Sequence, residues 1–454
     1  MRCSFIPPFL LQRLVSTAED PRLSAGGERT LAVDRQFRAS RQVTRSMVVP
    51  APVATGATRV IHTAGHTEEL PGTALRSDAE GGGGTDTGDV AVDEAWVSSG
   101  QVLDLFATVF DRRSVDGRGT PLSVTVHYGT NYDNAFWDGT QLVFGDGDGT
   151  IFDRFTKPFD VMAHEFTHGV TENTAALTYQ GQPGALNESV SDVFASQSVQ
   201  RVAGQTADQA SWLIGEGIFL PGVQATALRS MKAPGTAYDD PRLGKDPQVG
   251  SMADYVETTD DNGGVHTNSG IPNRAFYLVA AAIGGHSWET PGAIWYDTLT
   301  GGTIGADGDF RTFAEATVAS ARKLFADDAS IAEKVTGAWQ QVGVLAAAAP
   351  TGDTPNTPPP TTPLPTPPQT LRVRRTGGVT GAVREATIDL SSHPNGPELQ
   401  ALLDRTDFEA LASGGPTGPD RFVYSVQYGA DRAVLGEHEL GPDLRQLIQL
   451  VLDD

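Results

Sequence analysis

The residues best equipped for chemistry are HEFTH, positions 164–168. His164 and His168 stand four apart, so on an α-helix their rings share one face and two nitrogens can reach one ion. Glu165 lies beside them, placed to take a proton from a water on that ion rather than to bind the ion. A catalytic zinc wants a third protein ligand and an open position. NESVSD, 187–192, follows shortly after and carries Glu188 and Asp192 on one helix face. Glu188 can be the third ligand. Asp192, one turn on, could accept the other ring N–H of a ligand histidine and so fix its tautomer. The plain alternatives are a helix with two incidental histidines and a helix with a solvated acidic face. The apolar surroundings of NESVSD point to a buried helix and favour the metal.

Positioning those side chains takes packed helices, and the chain supplies them. DVMAHEFTHGVTENTA, LNESVSDVFASQSVQRVA, IPNRAFYLVAAAI and DFRTFAEATVASARKLFA carry helical periodicity across 161–347. Upstream, 51–160 alternates apolar and polar positions, as in PLSVTVHYG and TQLVFGDGDG, the pattern of strands and hairpins. A β-rich N-terminal lobe followed by an α-helical C-terminal lobe predicts an α+β fold with a cleft between the lobes. Residues 1–50 are arginine-rich and end near the exposed junction SMVVPAPVATG. Residues 348–368 carry most of TGDTPNTPPPTTPLPTPPQT, an extended spacer of about 3 Å per residue. Beyond it, 369–454 reads as a small α+β domain. Its strands are TLRVRRTGG and RFVYSVQYG, and its helices PELQALLDRTDFEALA and PDLRQLIQLVLD.

A chain of 454 residues fits two or three domains. Its net charge of -23 argues against nucleic acid and anionic membrane as partners, since both demand a basic patch. No run of eighteen apolar residues marks a transmembrane helix. The one cysteine, Cys3, allows no intrachain disulfide. MRCSFIPPFLLQRLVSTAED has a short apolar run broken by prolines and followed by acidic residues, unlike an ordinary export signal. A cytoplasmic location, or export by a non-classical route, is therefore expected.

The segments NAFWDGTQLVFGDGDG, HEFTHGVTENTAALTYQ, ALNESVSD, LRSM and DNGGVHTNSG, in that order, resemble the thermolysin-like zinc metallopeptidases over residues 60–347. The resemblance implies His164, His168 and Glu188 as zinc ligands and Glu165 as general base. It implies that Tyr179 and His266 stabilise the oxyanion, that Asp261 orients His266, and that Arg229 binds a substrate carbonyl. Asn134 and Ala135 match the edge that holds the peptide as an added strand. Phe152, Phe155, Val161 and Leu228 match the pocket for the residue after the scissile bond, implying a preference for a large apolar side chain. The plain reading of those four is core. Donors aimed at an oxygen where charge develops are what peptide hydrolysis needs, which suits Tyr179 and His266. Of the family's paired calcium site, Asp160 and Glu216 match two carboxylates, while Val199, Ser211 and Leu213 replace others. Each calcium takes six to eight oxygens, so at most one Ca2+ is expected. Thr226 stands where a second calcium loop has its acid, and GDGDG at 145–149 is expected to form tight turns.

The opening RCSFIPPFLLQRL resembles the short propeptide of the protealysin-like branch. That implies a zymogen cleaved near residues 48–51, with Pro7, Pro8 and Leu10 blocking the cleft. A Cys3 thiolate on the zinc is the alternative block. The tail, from LRVRRTGGVTGAVREATIDL onward, resembles emfourin, an inhibitor of protealysin-like enzymes. The expectation is a zinc-dependent neutral endopeptidase acting on peptides and proteins. Its propeptide and C-terminal domain would be intramolecular partners that restrain it. The alternative for the tail is a substrate- or surface-binding module.

Overall fold

The computed structural model describes residues 3–18, 20–40, 58–80, 86–346, 370–377, 384–390, 393–406, 422–428, 431–436 and 440–452. The chain divides into two units, Met1–Pro350 and Thr351–Asp454. The first opens with β1 (Cys3–Ser4), α1 (Pro8–Thr17) and α2 (Pro21–Ser40). Pro8 takes the first helical position, where its fixed φ starts the helix and its missing N–H costs nothing. Next come β2 (Arg59–Thr63), β3 (Thr73–Ser77), α3 (Val90–Phe110), β4 (Leu122–Val126), β5 (Ala135–Trp137) and β6 (Leu142–Phe144). They form one sheet in the order β1-β5-β6-β4-β2-β3, in which β2, β4 and β6 are parallel. Every residue of the central β4 is buried, so its polar face is paired internally: Thr125 Oγ1 donates to Gln141 Oε1 at 2.8 Å.

Helix α3 lies where the alternation suggested only strands. Val92, Ala95, Trp96, Ser99, Val102, Leu105 and Phe106 recur at three- and four-residue steps and are all buried. The Asp89 carboxylate caps the helix by accepting from the Ala91 and Val92 amides. Valines in the segment mimic a strand composition. Mid-helix Gly100 leaves room for the Arg59 guanidinium, which a Cβ there would displace and which lies 3.8 Å from the Trp96 ring centre.

The helical lobe begins with α4 (Phe159–Glu172) and α5 (Gly181–Ala203). Two short ribbons follow, β7 (Leu213–Ile214) with β8 (Arg229–Ser230), and β9 (Asp239–Asp240) with β10 (Gly244–Lys245). Helices α6 (Asp261–Asn268), α7 (Gly270–Ile283), α8 (Thr290–Thr300), α9 (Phe310–Leu324) and α10 (Ala329–Gln341) complete it. One core joins Val124 and Phe144 of the sheet to Phe166, Phe194, Trp295 and Trp339 of the helices, and takes in Phe5, Ile6, Leu10 and Leu31 as well. GDGDG makes turns, as its composition suggests. Asp148 Oδ1 accepts from the Thr150 and Ile151 amides, both at 2.7 Å, and Gly147 sits at φ 73°.

In the second unit, β11 (Thr370–Gly377), β12 (Arg384–Asp389), β13 (Phe422–Tyr428) and β14 (Asp431–Gly436) form an antiparallel sheet. Its order is β12-β11-β13-β14. Helices α11 (Gly396–Asp404) and α12 (Pro442–Leu452) share a separate core with it, through Leu371, Val373, Leu399, Val426 and Leu447. The strands TLRVRRTGG and RFVYSVQYG fall on β11 and β13 and the two helices on α11 and α12, but α11 ends at Asp404, short of the stretch expected to 412, of which 407–412 lie outside the described residues, and β12 and β14 are additional. The spacer and the junction near residues 48–51 lie outside the described residues. Among the described residues, no helix is long and apolar enough to cross a membrane.

Candidate active site

Helix α4 sets His164, Glu165 and His168 in the core, each fully buried. Helix α5 packs against it and brings up Glu188 and Asp192, also buried. His164 Nδ1 lies 2.9 Å from Asp192 Oδ1, and His168 Nδ1 lies 2.8 Å from Asn187 Oδ1. Those acceptors take the Nδ1 protons and leave the Nε2 atoms, 3.0 Å apart, facing each other. Glu188 approaches the same point, 3.4 Å from His164 Nε2 and 3.6 Å from His168 Nε2. Two ring nitrogens and a carboxylate aimed at one point call for a cation between them, either a proton, since against burial Asp192 and Glu188 raise His164 to about 9, or a metal. The donor set, two imidazoles and a carboxylate, suits zinc. Glu165 adds a buried carboxylate whose two oxygens have no hydrogen-bond partner among the described residues.

The electrostatics follow from burial. Desolvation pushes Glu165 up to about 8, and it holds His168 down to about 3 with help from neighbouring His164. Burial alone would raise Asp192, but Arg229 and His164 outweigh it and hold the carboxyl at about 2. Glu188 is likewise held well below the usual range, His266 being the largest opponent of its burial.

On the other side of the cluster, Tyr179 OH donates to Glu188 Oε1 and stands 3.4 Å from His266 Nε2. Helix α6 opens with four residues of positive φ, Asp261 at 49°, Asn262 at 51°, Gly263 at 82° and Gly264 at 71°. That turn folds the Asp261 carboxylate back onto His266, 2.8 Å from Nδ1 and 2.9 Å from the backbone N. Arg229 on β8 makes a two-point contact with Asp192, Nε to Oδ2 at 2.9 Å and Nη2 to Oδ1 at 2.8 Å.

A segment of the chain itself runs through this site. Strand β1 pairs antiparallel with β5 at the end of the sheet, Ser4 opposite Phe136. The Phe5 N–H donates to the Ala135 carbonyl at 3.0 Å. Asn134 takes Ile6 at both ends, accepting from its N–H at 2.8 Å and donating to its carbonyl at 3.3 Å. Arg229 Nη1 donates to the Phe5 carbonyl at 3.2 Å, and the Ser4 carbonyl lies 3.1 Å from His266 Nε2. The Phe5 ring meets His164 edge-on at 5.2 Å and lies beneath the Arg229 guanidinium at 4.8 Å. The segment in the cleft is therefore Ser4–Phe5–Ile6. Pro7, Pro8 and Leu10, expected there, instead start α1 and pack into the core, because consecutive prolines fit a helix start and not a paired strand. The Cys3 side chain lies outside the described residues.

Phe152, Phe155, Val161 and Leu228 are all buried in the core that includes Phe5. A Cβ on Gly215 would meet both Leu228 and the Phe5 ring, which puts Leu228 beside that ring. Asp160 and Glu216 make separate hydrogen bonds. Asp160 Oδ2 accepts from the Gly215 amide at 2.6 Å, while Glu216 is exposed and accepts from Ser211 Oγ at 3.3 Å. Two polar partners had gone unread in the sequence: Asn187, which orients His168, and Asn273, whose Nδ2 donates to Asp192 Oδ2 at 2.8 Å. Asn187 adjoins Glu188 in NESVSD, and that adjacency was its one visible signal.

Comparison with known proteins gives the family. Residues 41–172 match the family model for the thermolysin metallopeptidase catalytic domain, and 175–344 match its alpha-helical domain. Residues 373–452 match emfourin. An extracellular metalloprotease of Pectobacterium carotovorum is 49% identical over 75% of this chain and 96% of its own length. Protease PrtS of a Photorhabdus species is 44% identical over 75% of this chain and 91% of its own. A solved precursor of protealysin, a metalloproteinase from Serratia proteamaculans, superposes with TM-score 0.68 at 49% identity, covering 76% of this chain and all of that one. The chain belongs to the thermolysin family of metallopeptidases and carries an emfourin domain behind it.

Proposed function

We propose that this chain is a zinc endopeptidase made as a zymogen, in which Ser4–Phe5–Ile6 holds the place of substrate. The observation that supports it best is the convergence of His164 Nε2, His168 Nε2 and Glu188 beside a backbone segment paired to Asn134 and Ala135. Zinc held by those three residues would supply a Lewis acid for the scissile carbonyl and for a neighbouring water. Glu165 takes the proton from the attacking water and returns it to the leaving amine. Tyr179 OH and His266 Nε2 donate to the carbonyl oxygen as charge grows on it. Asp261 keeps the other His266 nitrogen protonated, and Asn134, Ala135 and Arg229 hold the peptide extended across the site.

The occupant of the pocket predicts specificity. A pocket that takes Phe5 should favour Phe, Leu or Ile after the scissile bond, with Gly there slowing cleavage about 100-fold. A panel of peptides differing only at that residue tests it. Equal rates for Leu, Gly and Asp would end the assignment of Phe152, Phe155, Val161 and Leu228. In the same assay, chelation should abolish hydrolysis and Zn2+ should restore it.

The emfourin domain acts, on this reading, as an inhibitor in cis. A linker that can span the sites gives an effective concentration of order millimolar, so even a weak inhibitor would hold its own enzyme closed. Residues 51–350 should therefore hydrolyse peptide faster than 51–454, and adding 369–454 in trans should slow the shorter form. Equal rates would make the tail a binding module instead. Because relatives are described as extracellular, the reading places the enzyme's work outside the cell.

A further inference from the structure

The sheet gathers a second set of metal-binding side chains, away from α4 and α5. Strands β2, β4 and β6 are parallel neighbours, so their C-terminal ends open at one edge. His66 follows β2 by three residues, His127 follows β4 by one, and Asp146, from GDGDG, follows β6 by two. His66 Nδ1 lies 3.3 Å from Asp146 Oδ2, and His127 Nδ1 lies 2.9 Å from both Asp146 oxygens. Ligand atoms of all three stand within 4.8 Å of one another.

The backbone is bent to bring the rings together. His66 at φ 63° and His127 at φ 54° are both in the left-handed region, which non-glycine residues seldom adopt without a reason. Their loops are tied by the His66 N–H donating to the His127 carbonyl at 2.9 Å and the Gly129 N–H donating to Thr67 at 2.9 Å. Asp89 then fixes the His127 ring from behind, its Oδ2 lying 2.9 Å from Nε2. The same carboxylate caps α3, so its position is set independently of the histidine. With Nε2–H given to Asp89, Nδ1 points at Asp146 and His66. A ring between two carboxylates must hold a cation at that nitrogen, either a proton or a metal.

We propose that His66, His127 and Asp146 form a second divalent-metal site, with Asp89 as its positioning residue. Two imidazoles and one carboxylate select zinc-like first-row ions over calcium or magnesium. The His66 side chain is 62% exposed and that of Asp146 27%, so water can complete the coordination. An ion there would clamp the loops after β2, β4 and β6 together. The last two lead into and out of the β5–β6 hairpin that carries Asn134 and Ala135, which gives the ion a structural part at the substrate edge.

The test uses the full chain, loaded with zinc and then dialysed against excess Zn2+, with metal counted per chain. Wild type should hold one equivalent more than His66→Gln, a change at an exposed side chain that leaves the fold intact. His127→Gln should lose the same equivalent, and Asp89→Asn should weaken it about 10- to 100-fold. Co2+ added to a chain carrying one equivalent of zinc should give d–d absorption bands that vanish in His66→Gln. An equal metal count in wild type and His66→Gln overturns the proposal. If both hold the extra equivalent, binding is adventitious. If neither does, the cluster is an ion pair around a protonated His127.

Discussion

Glu165→Gln should lower peptide hydrolysis by about 10²- to 10⁴-fold, the usual contribution of a general base, while the zinc content stays at the wild-type value. The two carboxylate oxygens of Glu165 are buried without a hydrogen-bond partner among the described residues, and desolvation lifts the group to about 8. Such a carboxylate has high proton affinity because burial penalises its charged form, as a base requires. Gln has the same shape, so the variant should unfold near the wild-type temperature. The measurement is made after residues 1–50 have been removed by an external protease, so that self-processing is not needed. Peptide hydrolysis within tenfold of wild type would remove Glu165 from the mechanism. Loss of zinc along with activity would make it a structural partner of the ligands instead.

How much of this site could be read from the sequence follows from the range of the interactions. His164, Glu165 and His168 were legible because a helix turns a local spacing into a shared face. Glu188 and Asp192 were legible because they sit on one face of the next helix, close in sequence. Tyr179, His266, Asp261, Arg229, Asn134 and Ala135 carry no local signal of comparable strength, and family resemblance alone singled them out. Asn187 and Asn273 were missed because an asparagine on a helix says nothing of a histidine on another. Helix α3 was missed for a different reason: its valines score as strand, and its capping Asp89 lies in a run of turn residues. The cleft segment failed at the longest range. Ile6 and Asn134 are 128 residues apart, and Ser4 and His266 are 262 apart. Local pattern offered only the prolines beside them, and those turned out to start a helix.

Phe5→Ala should release the site without touching it. The Phe5 ring is fully buried, edge-on to His164 and beneath Arg229, so it supplies the largest apolar contact of the segment that lies in the cleft. Truncating a buried phenylalanine typically costs 3–5 kcal/mol, and the loss of contact with a buried guanidinium adds to it. The backbone bonds from Ala135, Asn134 and Arg229 survive the change, because none uses the side chain. Leu10, Leu11 and Leu31 still anchor α1 and α2 in the core, so the segment should stay tethered but leave the cleft more often. If about 3 kcal/mol of the loss falls on docking, the open fraction rises by roughly 10²-fold. The experiment compares initial rates of peptide hydrolysis by residues 1–350 of wild type and Phe5→Ala, before any processing, with the first 50 residues confirmed intact by mass. A rate for Phe5→Ala equal to that of wild type would mean that latency rests elsewhere in 1–50. A rise of the expected size would make one ring the latch of the zymogen, since every polar contact of the segment would still be in place.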